Sequence, residues 1–514
     1  MLEKQYEKMV TDRRPYLERA QKCAKYTIPS LFPEDNHSST SYLVTPYNSV
    51  GARGVNTLSS SFLMSLFPPQ DQPFFRLILD EKAMAELEGI GEIQAEIDSS
   101  LARMERVVMK EMEVANFRPV LAEAIKHLVV GGNVLLHLTD EGNLRMFGLN
   151  NYVVKRDGEG NVLKIITKES IAPSALPEEL REVAQAEHTS EEDIDVYTCM
   201  YREGKKVYMH QEMLGRVIPN SEGEYPIEKS PYLPLRMFAV DGMDYARSIV
   251  DENFGDLKAL EKLQKALVEG AVASARVLFL VAPNGTTRAK TLAEAPNGAI
   301  REGRDTDVTC LQMNKFADFR VAQESIQQIQ ERLSHAFLLT QDMVRQAERV
   351  TAEEIRMLQQ EIQKQYSSIY SQLGASLQLP LVKMMLSSLQ KRGKMPKLPQ
   401  QYITAMIITG VDALGRGQDL NKLEALVAGI AQTFGPQAVS EYINIDDYLR
   451  RKADALGIKS EGLIVTEQDR MAKQQQQQQQ AMMAQMAQQA TAPIAQEGAK
   501  AMMNPPSQGE GPPQ

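Results

Sequence analysis

The sequence predicts an α+β chain, predominantly helical, on three observations. Apolar residues recur at helical spacing on both sides of a turn-rich insert: Val250, Phe254, Leu257, Leu260, Leu263 and Leu267 before it, Ala322, Ile326, Ile329, Leu333 and Phe337 after it. That three-and-four spacing puts each set on one face of a helix. Short β-like runs crowd the stretch from 134 to 210. A third long helix opens at Thr351-Ala352-Glu353-Glu354, a capping box in which the Thr351 hydroxyl accepts from the Glu354 N–H while the Glu354 carboxylate reaches back.

Taken in order, residues 1 to 27 form a helix with Tyr6, Met9, Val10, Leu17, Ala20 and Ala24 on one face, ended by the Pro- and Ser-rich segment Ile28 to Pro33. A second helix runs from near Ser49 to Leu66, stopped by Pro68-Pro69. Glu86 to Ala115 is helical and acidic, and Phe117 to Val130 is a more apolar helix ended by Gly131-Gly132. Strands follow at Val134–Leu138, Tyr152–Lys155, Val162–Thr167, Ile194–Tyr201 and Lys206–His210, with a hairpin turn at Asp157-Gly158-Glu159-Gly160.

From Asp244 the first long helix runs to the insert at Arg276–Arg320. The insert carries an apolar strand, Val277–Val281, the turn Pro283-Asn284-Gly285, and short runs at Ala299–Ile300 and Val308–Leu311, enough for a small mixed module. The helix that begins at Thr351 continues through Ile355, Leu358, Ile362, Tyr366, Ile369 and Leu373, then kinks at Pro380, because Leu381–Leu389 is again helix-like. Pro396 to Ile464 reads as several short helices broken by Gly410, Gly415, Gly417 and Gly435-Pro436. The tail, with seven consecutive Gln from Gln474 to Gln480, has too little patterned apolar surface to pack alone.

Composition narrows the function. At 514 residues, 43% hydrophobic and 24% charged, the chain is ordinary for a soluble protein with several domains. No apolar run reaches the roughly 18–20 residues of a membrane span, and the charged start Met1-Leu2-Glu3-Lys4 predicts no secretory signal. Cys23, Cys199 and Cys310 are scattered and odd in number, which fits a reducing compartment and argues against a disulfide framework or zinc site. Net charge is −10, unevenly spread: Leu176 to Asp195 carries eight acids against Arg181 alone, while Thr340 to Gln400 carries nine bases against five acids. A generic nucleic-acid binder would be basic overall.

Several blocks resemble the portal, or head-to-tail connector, proteins of short-tailed bacteriophages of the RNA-polymerase-encoding type. They include Asp12-Arg13-Arg14-Pro15-Tyr16, Tyr26 to Pro33, Val50 to Asn56, Val129 to Leu136 and Ile194 to Thr198. Further on come Glu348 to Arg356, Leu377 to Val382, and Ala413-Leu414-Gly415-Arg416-Gly417-Gln418-Asp419-Leu420. The resemblance runs in order from about residue 10 to 470, with the insert and the tail departing from it.

The resemblance implies a portal fold and its parts. Residues 1–243 correspond to the wing, 244–275 and 321–340 to the two stem helices, and 276–320 to the clip. Residues 341–350 correspond to the tunnel loop, 351–395 to a kinked wing helix, 396–470 to the crown, and 471–514 to a tail or barrel. It implies a homo-oligomeric ring, usually of twelve, in the virion at one capsid vertex and assembled in the host cytoplasm. Double-stranded DNA passes through it. Its expected partners are capsid and scaffolding proteins, the terminase, tail adaptor proteins, and internal core proteins at the crown. It implies no membrane, no cofactor and no catalysis.

No Gly-x-x-x-x-Gly-Lys-Ser/Thr phosphate loop is present, and Gly415-Arg416-Gly417 lacks the third glycine of a dinucleotide loop. The six histidines never pair at metal-ligand spacing, and His127 on an apolar helix reads as a core or interface residue. Arg345 and Arg349 are either solvated partners of Glu348 and Asp342 or, as the tunnel-loop position implies, a basic collar touching DNA phosphates without reading bases. Lys258, Lys262 and Lys265 share a helix face and either line the channel or pair with Glu261 and Asp256 between neighbours. Arg288, Lys290, Arg301 and Arg304 on the insert are candidates for docking a motor or adaptor, or are ordinary solvated charges. The rival functions are another cytoplasmic helical scaffold and a nucleic-acid-processing enzyme with unrecognised catalytic residues.

Overall fold

A computed structural model of the chain describes residues 1–34, 42–68, 74–79, 91–176, 181, 193–274, 278–296, 298–311, 316–339, 366–396, 403–407 and 424–435, with single positions from 437 to 452. The chain divides into two compact units, Met1–Ala413 and Leu414–Gln514.

The first unit opens with α1, Leu2–Lys25, which buries Tyr6, Leu17, Ala20 and Ala24 as its periodicity requires. Helix α2, Val50–Leu66, follows, then strand β1, Phe75–Leu79. Helix α3 spans Gly91–Val114 and α4 spans Phe117–Gly131. Helix α4 ends where Gly132 takes φ +74° and its N–H donates to the Leu128 carbonyl. A side chain there would be strained, and an ideal Cβ would stand 2.6 Å from the Arg247 carbonyl oxygen.

Strands β2, Asn133–Leu138, and β3, Leu144–Phe147, come next, followed by β4, Tyr152–Arg156, and β5, Val162–Ile171. Then come β6, Ile194–Glu203; β7, Lys206–Met213; β8, Arg216–Val217; and β9, Gly223–Pro226. Strand β10 is Tyr232–Arg236, and the pair β11, Phe238–Ala239, and β12, Ala246–Arg247, closes the run. All pairings are antiparallel: β10-β2-β3 make one sheet, and β4-β5-β6-β7-β8 with β9 beside β7 make another.

Three strands run further than their apolar cores predict. The β5–β6 ladder continues to Ile171 opposite Ile194, carrying Lys168, Glu169 and Ser170, whose polarity hides them from pattern reading. Lys168 meets Asp195 at 2.7 Å across it. Most of the acidic run from 176 to 195 lies outside the described residues.

The chain then enters α5, Ile249–Glu252, and α6, Phe254–Ser274, so the helix expected from Asp244 begins five residues later and breaks at Asn253. Residues 244–248 do other work. Tyr245 is buried with its hydroxyl accepting from the Val154 N–H, and the Asp244 carboxylate accepts from the Arg156 N–H, covering the outer edge of β4. The Ser248 hydroxyl accepts from the Asp251 N–H as the N-cap and donates to the Val130 carbonyl. Asn133 completes the junction, exchanging two 2.9 Å hydrogen bonds with the backbone of Ala246.

The insert holds β13, Leu278–Val281, α7, Ala289–Ala293, and β14, Val308–Leu311; Ala299–Ile300 is not a strand. Helix α8, Phe316–Ala336, returns from it. Residues 366–391 stay helical, with a π-helical turn at Gly374–Gln378 directly before α9, Leu379–Lys391. Pro380 does not end the helix, because the wider turn before it absorbs the missing N–H. The Glu111 carboxylate on α3 holds the end of α9 through Arg392 at 2.9 Å and Lys394 at 2.7 Å, and these contacts, Lys394 foremost, hold that carboxyl below its ordinary range.

Within the stretch expected to form only short helices, Ile403–Ile407 is strand β15, paired with β1 from Phe75↔Ile407 to Leu79↔Ile403. Ile403-Thr404-Ala405-Met406-Ile407 is too short to show a period, and its partner lies more than 300 residues away. In the second unit, residues 424–434 are helical and Lys452 meets Glu424 at 2.8 Å.

Candidate functional site: a helical hairpin carrying a small module

Helices α6 and α8 form an antiparallel hairpin with the insert at its far end. Its base is sunk in the main core, where Leu257, Leu260, Leu333 and Phe337 are completely buried. Gly54 of α2 makes this possible, since a Cβ there would stand 2.6 Å from the Phe337 ring. Near the base, the Arg332 guanidinium grips the Asp256 carboxylate with two hydrogen bonds, of 2.8 and 3.1 Å. Near the tip, the Phe319 ring occupies the space where Gly270 has no side chain.

Outward from the base the apolar residues lose their cover. Val268 is 40% exposed, Val272 56% and Val321 63%. These three valines lie beside the stripe that reads as the core face in sequence, whose own outer members Leu263, Leu267 and Ala322 are half-buried.

The acids expected to pair with Lys258, Lys262 and Lys265 are already engaged within the subunit. Asp256 holds Arg332, and the Glu261 carboxylate accepts from the Tyr47 N–H at 2.9 Å, the Asn48 N–H at 3.2 Å and Asn48 Nδ2 at 2.6 Å. Tyr47 and Asn48 are thereby strapped to α6, a contact that no periodicity announces, because a short polar segment carries no pattern pointing to its partner. Lys258, Lys262 and Lys265 are all exposed on α6. The Lys258 ammonium lies over the Phe254 ring, and that of Lys265 lies over Tyr47 and 3.8 Å from Glu269.

In the module, the ladder Leu278↔Leu311 to Val281↔Val308 is closed by Asp307. Its carboxylate accepts from the Thr287 N–H at 3.1 Å and from the Thr286 and Thr287 hydroxyls, and these bonds, the backbone one foremost, hold its pKa down. Arg288, Lys290, Arg301 and Arg304 all lie exposed around this turn, with Lys290 4.0 Å from Glu294 on its own helix. Phe279, Leu280 and Ile300 are also exposed there. Arg345, Arg349 and Thr351 lie outside the described residues.

Elsewhere the titratable groups are structural. Burial pushes the Cys23 thiol up to about 12, far from a reactive thiolate. His127, buried edge-on to Phe32, and His137, stacked on Tyr232, are each pushed down to about 4 by burial. Among the described residues no group of three or more His, Cys, Asp or Glu side chains could hold a metal ion, and no helix is long and apolar enough to cross a membrane.

A sheet-and-helix body grips the root of a two-helix strut that carries a charged module at its far end. The chain belongs to the bacteriophage head to tail connecting protein family, whose model matches residues 1–465. It is 41% identical over 481 residues to the portal protein of Escherichia phage T7, and 39% identical over 480 residues to that of Enterobacteria phage T3; each alignment covers 92% of this chain and 89% of the relative. The portal protein of Enterobacteria phage SP6 is 29% identical over 485 residues, covering 92% of both chains. Among solved structures, the neck of an empty GTA particle aligns with 80% of this chain and 90% of that one, at a TM-score of 0.40 and 11% identity. The chain is thus a phage portal protein, a structural head-to-tail connector and not an enzyme.

Proposed function

We propose that twelve copies form a closed ring at one capsid vertex, with the α6–α8 hairpin as its stem and the 276–320 module as its clip. DNA is packaged and ejected through the bore, and the clip docks first the terminase motor and then tail adaptor proteins. Capsid and scaffolding proteins contact the wing, and internal core proteins contact the crown, residues 396–470. The observation that carries this reading is the half-covered stem: Val268, Val272 and Val321 leave the subunit's core and stand ready for neighbours. Contacts between unlike patches close into a ring when the rotation between copies is right.

In this reading Arg345 and Arg349 form basic collars in an otherwise acidic assembly, since twelve copies at −10 each carry −120. Net repulsion keeps DNA from adhering while a few phosphate contacts centre it. Arg288, Lys290, Arg301 and Arg304, solvated in the single subunit, present the clip to its partners. Native mass spectrometry of the purified full chain tests the ring: the expected species is twelve times the 57.5 kDa subunit. A monomer or twofold dimer that persists at high concentration would overturn the proposal.

A further inference from the structure

The two outer flanks of the hairpin are complementary to each other. On α6, Phe254, Lys258, Glu261, Lys265, Val268 and Val272 follow one another at steps of four and three. On α8, Val321, Glu324, Gln328, Glu331 and His335 follow at steps of three and four. Such stripes stay in line along a helix packed against a neighbour. With about 100° of turn per residue, the α6 stripe lies roughly 120° to one side of the Leu260 direction, and the α8 stripe about as far to the other side of Ile329. Because the helices are antiparallel, those turns send the stripes to opposite flanks of the hairpin.

The contacts Asp256–Arg332 and Gly270–Phe319 fix which residues stand level, since each step up α6 is one step back along α8. Counted from either contact, and within one residue, Lys258 stands level with Glu331, Lys265 with Glu324, and Val268 with Val321. Each flank therefore has an apolar tip and a charged lower part, basic on α6 and acidic on α8. Gln328 falls level with Glu261, the acid already taken by Tyr47 and Asn48.

We propose that the α6 flank of one subunit, with Tyr47 and Asn48 of the same subunit covering its middle at Glu261, packs in register on the α8 flank of the next, with Val268 and Val272 against Val321, Lys265 beside Glu324 and Lys258 beside Glu331. The occupant of each flank is a second copy of this chain, and the inference rests on the ring reading above. With the hairpin standing along the ring axis, rotation between copies keeps every residue at its own height, so levels matched within one hairpin are matched between neighbours. The ion pairs that Lys265 and Glu324 make on their own helices, with Glu269 and Arg320, are exposed. Such pairs are worth little and exchange readily for contacts across an interface. On this assignment Lys258 and Lys265 face the next subunit rather than the bore.

The test is a full-length Val268→Cys/Val321→Cys chain, oxidised or treated with a short bismaleimide. Both positions are exposed, so the fold is kept, and within one chain the two thiols lie on opposite flanks. The expected result is a ladder of covalent multimers reaching the closed ring, absent from either single variant. Rings by native mass spectrometry without that ladder would overturn the register and leave the ring reading standing; absence of rings in the unmodified chain would overturn both. Charge exchange gives a second measurement. Lys265→Glu and Glu324→Lys chains should each assemble poorly alone and co-assemble in alternation when mixed, whereas equal assembly alone and mixed counts against the pairing.

Discussion

Phe319 fills the space that Gly270 leaves empty: an ideal Cβ on Gly270 would stand 2.7 Å from the ring of Phe319 on the returning helix. Helices α6 and α8 approach closely near their tip for this reason. Gly270→Leu should push them apart and cost roughly 1–3 kcal/mol by overpacking. Because the obstacle is the far edge of one ring, adding Phe319→Ala should recover much of the loss. A double-mutant cycle of thermal stability checks it, and additive effects would place the two residues out of contact.

At the root of the α6–α8 hairpin, Ser248 caps α5 and also donates to the Val130 carbonyl while almost fully buried. Ser248→Ala removes the cap and leaves a buried carbonyl without that donor, so it should cost about 1–3 kcal/mol in denaturant unfolding. Gly132→Ala should cost at least as much, through its positive φ and the Arg247 carbonyl in its path. If Ser248→Ala melts like the unmodified chain, the junction does not anchor the stem.

Much of this architecture is legible in residue order, and where it is not, the reason is physical. The hairpin is legible because its stripes repeat for six turns, and the module because Val308–Leu311 and the apolar run ending at Val281 are bounded by turn residues. Strand β15 is not, because five residues cannot display a period and pairing with β1 is a long-range choice. The helix start at Ile249 is likewise hidden. Tyr245 fits a helical stripe by spacing, yet it is drawn to the edge of β4 by a hydrogen bond to Val154. Spacing groups Lys258, Lys262 and Lys265 on one helix but does not show that Glu261 is taken from them, because its partners Tyr47 and Asn48 lie more than 200 residues earlier.

Acidification should loosen the wing before its carboxylates titrate. Burial lowers the folded pKa of His127 from 6.5 to about 4, so the unfolded chain binds its proton first. Stability is therefore full above about pH 6.5 and falls as pH drops toward 4, by roughly 2 kcal/mol at pH 5 for one such histidine. His127→Gln should lower stability at pH 7.5 but flatten the slope of melting temperature between pH 6.5 and 5. An unchanged slope would mean that His127 opens to solvent and titrates normally.

Arg345 and Arg349 and the capping box that the sequence predicts from Thr351 should be separable by mutation. Arg345 and Arg349 are proposed to touch phosphates as DNA moves or rests in the bore. Changing both to Ala should leave ring assembly intact, because exposed loops contribute few buried contacts. It should nevertheless reduce DNA packaging or retention, since up to two charge-assisted contacts per subunit are lost. Thr351→Ala should act by another route: the sequence predicts a capping hydroxyl there, whose loss would cost roughly 0.5–2 kcal/mol without changing the charge at 345 and 349. High salt should therefore reproduce the arginine variant and not the threonine one, because screening weakens phosphate contacts and leaves a helix cap intact. The measurement is the DNA content of particles assembled with each variant. Full and stable filling with both arginines removed would make them ordinary surface charge and move the centring of DNA to another part of the bore.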